Sequence, residues 1–324
     1  MPAPTPERIL QRLDWQVIRR LDGLLQGDYR SLFYGFGVDF ADLREYQPED
    51  DIRYIDWNVT ARMDTPYVRQ YVEDREIAGW FLLDLSPSVD FGSQESVKRS
   101  MLIDFVATLA RILTRHGNRV GAIFYTGQND QGGDGHRRHN GGHNRGNGKG
   151  DGRLHTRLER TIPARSGRNH VLRLVNELLK QPALPHAPFT DLSPLLEGGL
   201  HSIKRRSLIF IISDFICSPG WERPLSLLNQ RHEVLAVRLW DPREAELPDI
   251  GPIIMEDAET GEQLYVDTHD RRFRLRFEQA AQERQAELKQ IFKRAGVDTL
   301  SLSTQDDLVG AIVRFAISRK QRRR

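Results

Sequence analysis

Short apolar runs alternate with amphipathic stretches along most of the chain from residue 80 onward. A run that is apolar at nearly every position is typical of a strand covered on both faces of a parallel sheet. Such strands are predicted at 80–84, 119–125, 154–162, 207–213, 233–239 and 297–302. A hairpin is predicted over 253–266, with its turn around Glu259-Thr-Gly261.

Apolar residues at helical spacing predict helices between these strands. One apolar stripe runs from Val97 to Ile112, and its helix is expected to end near Gly117. Another helix is expected to start at Ser193, with serine as the cap and Pro194 in the first turn. The remaining helices are predicted at 8–21, 169–180, 270–294 and 305–318. Strands separated by helices predict an α/β fold with a doubly wound, mostly parallel sheet of Rossmann type, preceded by a smaller, β-rich N-terminal segment.

Composition narrows the class of protein. Hydrophobic residues make up 39% and charged residues 28% of the 324 residues, and no apolar run reaches the roughly 18–20 residues of a membrane span. Cys217 is the only cysteine, which excludes intramolecular disulfides and cysteine-based zinc sites. The N-terminus lacks an apolar signal region, so a cytoplasmic protein is expected. The net charge of +2 does not predict nucleic-acid binding by the whole protein.

Residues 127–152 contain ten glycines and no apolar side chain, which predicts a disordered insertion. His136, His139 and His143 within it could bind a metal, but a solvated insertion that happens to contain histidines is favoured.

Oxygen-bearing side chains follow several predicted strands. Ligands of open α/β sheets bind just outside the C-terminal strand ends. Asp84, Ser86 and Ser88 follow the first strand, Asp214 follows the strand at 207–213, and Thr190 precedes a helix in another loop expected at the same edge. Carboxylates and hydroxyls suit Mg²⁺ or another divalent cation such as Mn²⁺, with one position left open for a partner's carboxylate. The alternative is that these residues only cap helices and form turns.

At these positions the sequence resembles a von Willebrand factor type A domain. The resemblance implies a metal-ion-dependent adhesion site (MIDAS) formed by Asp84, Ser86, Ser88, Thr190 and Asp214. A longer signature at residues 35–62 resembles the bacterial domain-of-unknown-function family fifty-eight. That resemblance implies a neighbouring MoxR-type AAA+ ATPase as partner, with other von Willebrand factor A-type proteins also possible partners, and it implies no enzymatic activity.

The signature interleaves charged and aromatic side chains. They could form a structural ion-pair network or a docking surface for the ATPase, and the network is favoured because a tryptophan needs burial. The residues in question are Arg44, Asp50, Asp51, Arg53, Asp56, Trp57 and Arg62.

The sequence thus predicts a metal-dependent protein-interaction module, an adaptor of the ATPase in complex assembly or chaperone-like remodelling. The alternatives are a metal-dependent hydrolase or phosphatase, and binding of nucleic acid or an anionic surface through the basic tail. A lysine or arginine plugging the cation site would contradict the adhesion interpretation. The predicted divisions are an N-terminal helix at 1–30, the signature segment at 31–77, the main domain at 78–319 with a hairpin-plus-helix insertion at about 247–296, and the tail at 320–324.

Overall fold

The computed structural model of the chain describes residues 5–14, 42–48, 52, 55, 57–63, 65–70, 78–92, 97–127, 160–183 and 190–322. Four of the predicted signature residues, Asp50, Asp51, Arg53 and Asp56, lie outside the described residues, as does the side chain of Arg44. The same holds for most of the glycine-rich segment, including its three histidines, and for the side chains of residues 320–324.

The strands form one large sheet and two small ones. The described strands are β1 (Asp42–Glu45), β2 (Tyr67–Gln70), β3 (Ala78–Asp84), β4 (Arg119–Tyr125), β5 (Arg160–Arg165), β6 (Leu208–Ser213), β7 (Glu233–Trp240), β8 (Pro252–Glu256), β9 (Gln263–Asp267) and β10 (Asp298–Ser303). The large sheet has the order β10-β7-β6-β3-β4-β5, while β1 pairs with β2 and β8 pairs with β9.

Helices cover both faces of the large sheet. The described helices are α1 (Pro6–Leu13), α2 (Trp57–Met63), α3 (Lys98–Arg115), α4 (Arg168–Leu179), α5 (Ser193–Ser202), α6 (Glu222–Arg231), α7 (Arg271–Ala295) and α8 (Leu308–Arg322). Because successive strand residues face opposite sides, Leu83 packs in one core with α1, α3, α4 and α8. Its neighbour Leu82 packs in the other core with α5, α6 and α7.

The large sheet is doubly wound, as predicted. Counted along the chain, its six strands have the spatial order 3-2-1-4-5-6, and all neighbours are parallel except β5, which pairs antiparallel with β4 at one edge. The strand order reverses between β3 and β6: β4 and β5 lie on one side of β3, whereas β6 and the strands that follow it lie on the other side. Such a reversal opens a crevice at the C-terminal strand ends.

Some local predictions need correction. Ser193 is not the cap of α5: it lies inside the helix, and its backbone N–H donates to the carboxylate of Asp191 at 2.8 Å. Helix α6 was not predicted. Strand β5 extends to residue 165, three residues beyond its predicted end, and only Ile162 of it is buried, so its apolar pattern is weak. Residues 154–159 of the predicted strand lie outside the described residues.

The N-terminal segment forms a small antiparallel pair, β1 with β2, together with α2. Trp57 is 69% exposed there, so the predicted burial of this side chain is wrong. Arg62 is exposed as well. Nowhere in the described part of the chain is a helix both long and apolar enough to cross a bilayer.

Candidate functional site

The candidate site lies at the reversal of strand order. Asp84 ends β3, and Asp214 directly follows β6, the strand paired with β3 on the other side of the reversal. Both carboxylates are buried although they stand at the end of the sheet. The sheet topology therefore brings together two acids that are 130 residues apart in the sequence.

The loop after β3 turns its polar groups inward. Asp84 accepts hydrogen bonds from the backbone N–H of Ser86 at 3.0 Å and from the hydroxyl of Ser213 at 2.6 Å. The hydroxyl oxygens of Ser86 and Ser88 lie 3.1 Å apart. Both serines are buried. The alternation of Asp84, Ser86 and Ser88 thus places three oxygen-bearing side chains in one buried loop.

The loop after β6 is held in an uncommon backbone conformation. Phe215 has a φ of 58°, a left-handed value that costs a non-glycine residue about 1–3 kcal/mol. Its ring lies 5.5 Å from that of Trp221 and 5.0 Å from that of Phe292, centroid to centroid. The backbone N–H of Ile216 donates to Asp214 at 3.0 Å. Aromatic packing therefore fixes the loop that carries Asp214.

Thr190 belongs to the same edge. Its carbonyl accepts the backbone N–H of Ser218, from the loop after β6, at 2.9 Å. The next residue, Asp191, donates its backbone N–H to the hydroxyl of Tyr125 at the end of β4, at 3.2 Å. Thr190 is buried. The structure thus joins the loops that carry all five predicted cation ligands.

Lys98 contacts one of these five residues. This first residue of α3 is 1% exposed, and its ammonium lies 2.7 Å from Asp214 and 2.5 Å from Glu244. Burial alone would lower the pKa of Lys98, but the two carboxylates outweigh it and raise that pKa. A lysine therefore occupies Asp214, one of the five predicted ligands, and among the described residues the other four have no cationic hydrogen-bond partner. Among the described residues, the hydrogen-bond partners of Asp84, Ser86 and Ser88 are neutral groups.

Glu259 is a second residue at the site that sequence reasoning missed. It lies in the turn between β8 and β9, and its carboxylate accepts both the backbone N–H of Thr190, at 2.6 Å, and the hydroxyl of Thr190. Burial raises the pKa of Glu259, and the nearby charge of Asp214 adds to this. Nothing in the local sequence of the turn indicates this contact.

The site carries excess negative charge. Burial and the neighbouring carboxylate of Asp214 raise the pKa of Asp84 to about 6, even though the hydrogen bonds from Ser213 and Ser86 favour the ionised form. Burial and the surrounding acids also raise the pKa of Cys217, the nearby free thiol. A thiol with a raised pKa is a poor nucleophile at neutral pH.

The chemistry of the site depends on hydroxyl groups. In the described residues, no three or more histidine, cysteine, aspartate or glutamate side chains are grouped so as to hold a metal. Besides the two aspartates, the oxygen donors that these loops offer are the hydroxyls of Ser86, Ser88 and Thr190. The described residues that donate hydrogen bonds to the carboxylate of Asp84 are Ser86, through its backbone, and Ser213.

The basic C-terminus is partly engaged within the fold. Arg319 is 4% exposed and forms ion pairs with Glu233 and Asp298. It is therefore not available to a nucleic acid or an anionic surface.

The chain matches the family described as "Protein of unknown function DUF58" over residues 42–136 and 142–287. The uncharacterized protein Rv1480 of Mycobacterium tuberculosis is 34% identical over 312 residues, which cover 96% of this chain and 89% of that protein. The uncharacterized protein Mb1516 of Mycobacterium bovis is similar to the same extent. The crystal structure of the conserved hypothetical protein BatB from Bacteroides thetaiotaomicron matches with a TM-score of 0.43 and 12% identity, covering 76% of this chain and 99% of that chain. The match over most of its length makes this chain a member of the DUF58 family, as the sequence predicted.

Proposed function

We propose that the protein is an interaction module that holds a divalent cation at the end of its sheet and uses it to capture a carboxylate of a partner protein. The observation that carries the proposal is the buried group of Asp84, Ser86 and Ser88 at the strand-order reversal, joined to the loops of Thr190 and Asp214. Paired acids and hydroxyls of this kind are hard oxygen donors, which suit Mg²⁺ and Mn²⁺.

The donor set fits a cation because nearby positive charges do not fully neutralise the buried carboxylates. The pKa of Asp84 is raised by burial and by Asp214, and a divalent ion would remove both penalties. An ion and the Lys98 ammonium cannot occupy the same oxygen of Asp214. We therefore assign the direct ligands to Asp84, Ser86, Ser88 and Thr190. Asp214 stays paired with Lys98 and contributes its negative charge without contacting the ion.

The surrounding residues keep these donors in place. The Ser213 hydroxyl and the Ser86 backbone N–H fix the carboxylate of Asp84, so it does not have to be ordered when an ion arrives. The loop of Asp214 is likewise already ordered before an ion arrives, because Phe215 is fixed in its left-handed conformation. When bound, the ion would supply a positive charge with an open position for an external carboxylate.

The strand order of the large sheet supports the proposal that the fold is von Willebrand factor A-like. The von Willebrand factor A-like character rests on the doubly wound order with an antiparallel β5 at the edge, together with the five site residues. The resemblance of the sequence to that domain is independent of the strand order.

The expected partner is the MoxR-type AAA+ ATPase implied by the family resemblance, in complex assembly or chaperone-like remodelling. Capture of a purified MoxR-type AAA+ ATPase would be measured with Mg²⁺, with EDTA and with Asp84→Ala. We expect capture to fall at least tenfold with EDTA and with the variant. Glu197→Gln, an exposed acid on α5, is the matched control and should bind as the wild type does. Capture unchanged by EDTA and by Asp84→Ala would remove the metal from the mechanism.

A further inference from the structure

The turn between β8 and β9 is constructed so that Glu259 is held at its tip. The carboxylate of Asp257 accepts the backbone N–H groups of Glu259 and Thr260 at 2.9 and 2.8 Å. The backbone of Gly261, at a φ of 72°, closes the turn through a 2.8 Å hydrogen bond to the Asp257 carbonyl. These bonds do not involve the side chain of Glu259, which is left free to reach outward.

That side chain reaches Thr190 with both of its oxygens. One oxygen accepts the backbone N–H of Thr190 at 2.6 Å, and the other accepts its hydroxyl. A carboxylate held by two donors of one residue is recognised by geometry as well as by charge. Thr190 is 1% exposed, so the seated Glu259 covers a residue of the proposed cation site.

The rest of the hairpin is only lightly attached. Its base is fixed because the Thr268 hydroxyl donates to the Gly251 carbonyl at 2.8 Å and accepts the Ile250 backbone N–H at 3.0 Å. Between base and tip, the cross-strand pair Ile254 and Tyr265 is 66% and 71% exposed. A two-stranded hairpin has little stability of its own, so its position depends on the contacts at its two ends.

We propose that the backbone N–H and hydroxyl of Thr190 form a carboxylate-binding subsite, and that Glu259 fills it as an internal ligand that a partner's carboxylate must displace. This inference deepens the proposed function and rests on it for the existence of the partner. It identifies the partner's recognition element as an exposed glutamate or aspartate on a turn. The tethered hairpin acts at a local concentration in the millimolar range, so weak external acids are excluded.

The test uses the full chain and a labelled cyclic peptide that carries the sequence of residues 252–267. Fluorescence anisotropy would measure its binding to the wild type, to Glu259→Ala and to Glu262→Ala, the matched control on the same turn, where the glutamate is exposed. We expect Glu259→Ala to bind the peptide at least tenfold more tightly than the other two proteins. A peptide with glutamine at the position of Glu259 should bind none of them. Equal affinity for all three proteins would overturn the inference.

Hydrogen exchange of the Thr190 amide gives a second readout that needs no peptide. Exchange should be at least tenfold faster in Glu259→Ala than in the wild type or Glu262→Ala, because the amide loses its acceptor. Unchanged exchange would overturn the inference.

Repeating the peptide titration in EDTA separates the two proposals. If Glu259→Ala binds the peptide equally well with Mg²⁺ and with EDTA, the subsite stands and the role of the cation falls. If the protein takes up Mn²⁺ but Glu259→Ala gains no peptide affinity, the cation site stands and the subsite falls.

Discussion

Replacing Lys98 with methionine removes the ammonium that contacts Asp214 and keeps most of the side-chain volume. Lys98 and Asp214 are 1% and 0% exposed, and their charged atoms are 2.7 Å apart. Removing one partner of a buried pair leaves an uncompensated charge, at a cost of about 3–5 kcal/mol. We therefore expect Lys98→Met to lower the free energy of unfolding by about that amount.

The matched control is Arg12→Met. Arg12 pairs with Asp104 at 2.5 Å, but its side chain is 51% exposed. Exposed ion pairs contribute about 0–1 kcal/mol, so this variant should unfold at nearly the wild-type denaturant concentration. Urea denaturation followed by circular dichroism would compare the two variants with the wild type.

The same measurement with Mn²⁺ tests whether a cation can take over from the ammonium. An ion at a hundred times its dissociation constant stabilises the protein that binds it by about 2.7 kcal/mol. In Lys98→Met, the ion would also supply the missing positive charge, so the Mn²⁺-induced gain should exceed that of the wild type. Wild-type stability of Lys98→Met without metal, or an equal gain from Mn²⁺ in both proteins, would refute the reasoning.

Two further predictions concern the core. Gly121→Ala should cost about 1–3 kcal/mol in urea denaturation, because a Cβ would lie 2.8 Å from the Trp80 ring and 2.9 Å from the Ile162 carbonyl oxygen; wild-type stability would contradict this packing. Burial, together with nearby arginine charges, lowers the pKa of His170, whose ring contacts the Val120 carbonyl at 2.8 Å. The unfolded chain then binds the proton more readily, so stability should fall as the pH drops below the ordinary histidine value of about 6.5. His170→Gln should flatten that pH dependence, and an unchanged profile would show that other groups cause it.

The central sheet could be predicted because its strands are buried on both faces. Strand β4 was predicted with its observed bounds, and β6 within one residue, since a continuous apolar run leaves little choice of register or end. Edge strand β5 could not be placed as well. It buries only Ile162, so hydrophobicity gives little information about its ends.

The sheet topology predicts where the five candidate ligands lie, but it does not predict which side chains contact them. That strand ends converge at the reversal is a general property of doubly wound sheets. The engagement of Asp214 by Lys98 depends on how α3 packs. The sequence held one indication of this contact: Lys98 is the first residue of a helix that has no acidic residue in its first turn. A cation there opposes the helix dipole and indicates a tertiary acid partner.

The contact of Glu259 with Thr190 had no local signal. The two residues are 69 positions apart, and the hairpin that carries Glu259 forms a separate two-stranded sheet. Trp57 was misjudged for a related reason: the preference of tryptophan for burial is an average, which its 69% exposure here does not follow.

Mn²⁺ uptake by the purified full chain, measured by electron paramagnetic resonance, tests the cation site most directly. We predict that the wild type and Glu197→Gln bind one equivalent of Mn²⁺, displaceable by Mg²⁺, and that Asp84→Asn and Ser86→Ala lose this binding. A wild type that binds no Mn²⁺, or an Asp84→Asn variant that binds it as the wild type does, would contradict the cation site.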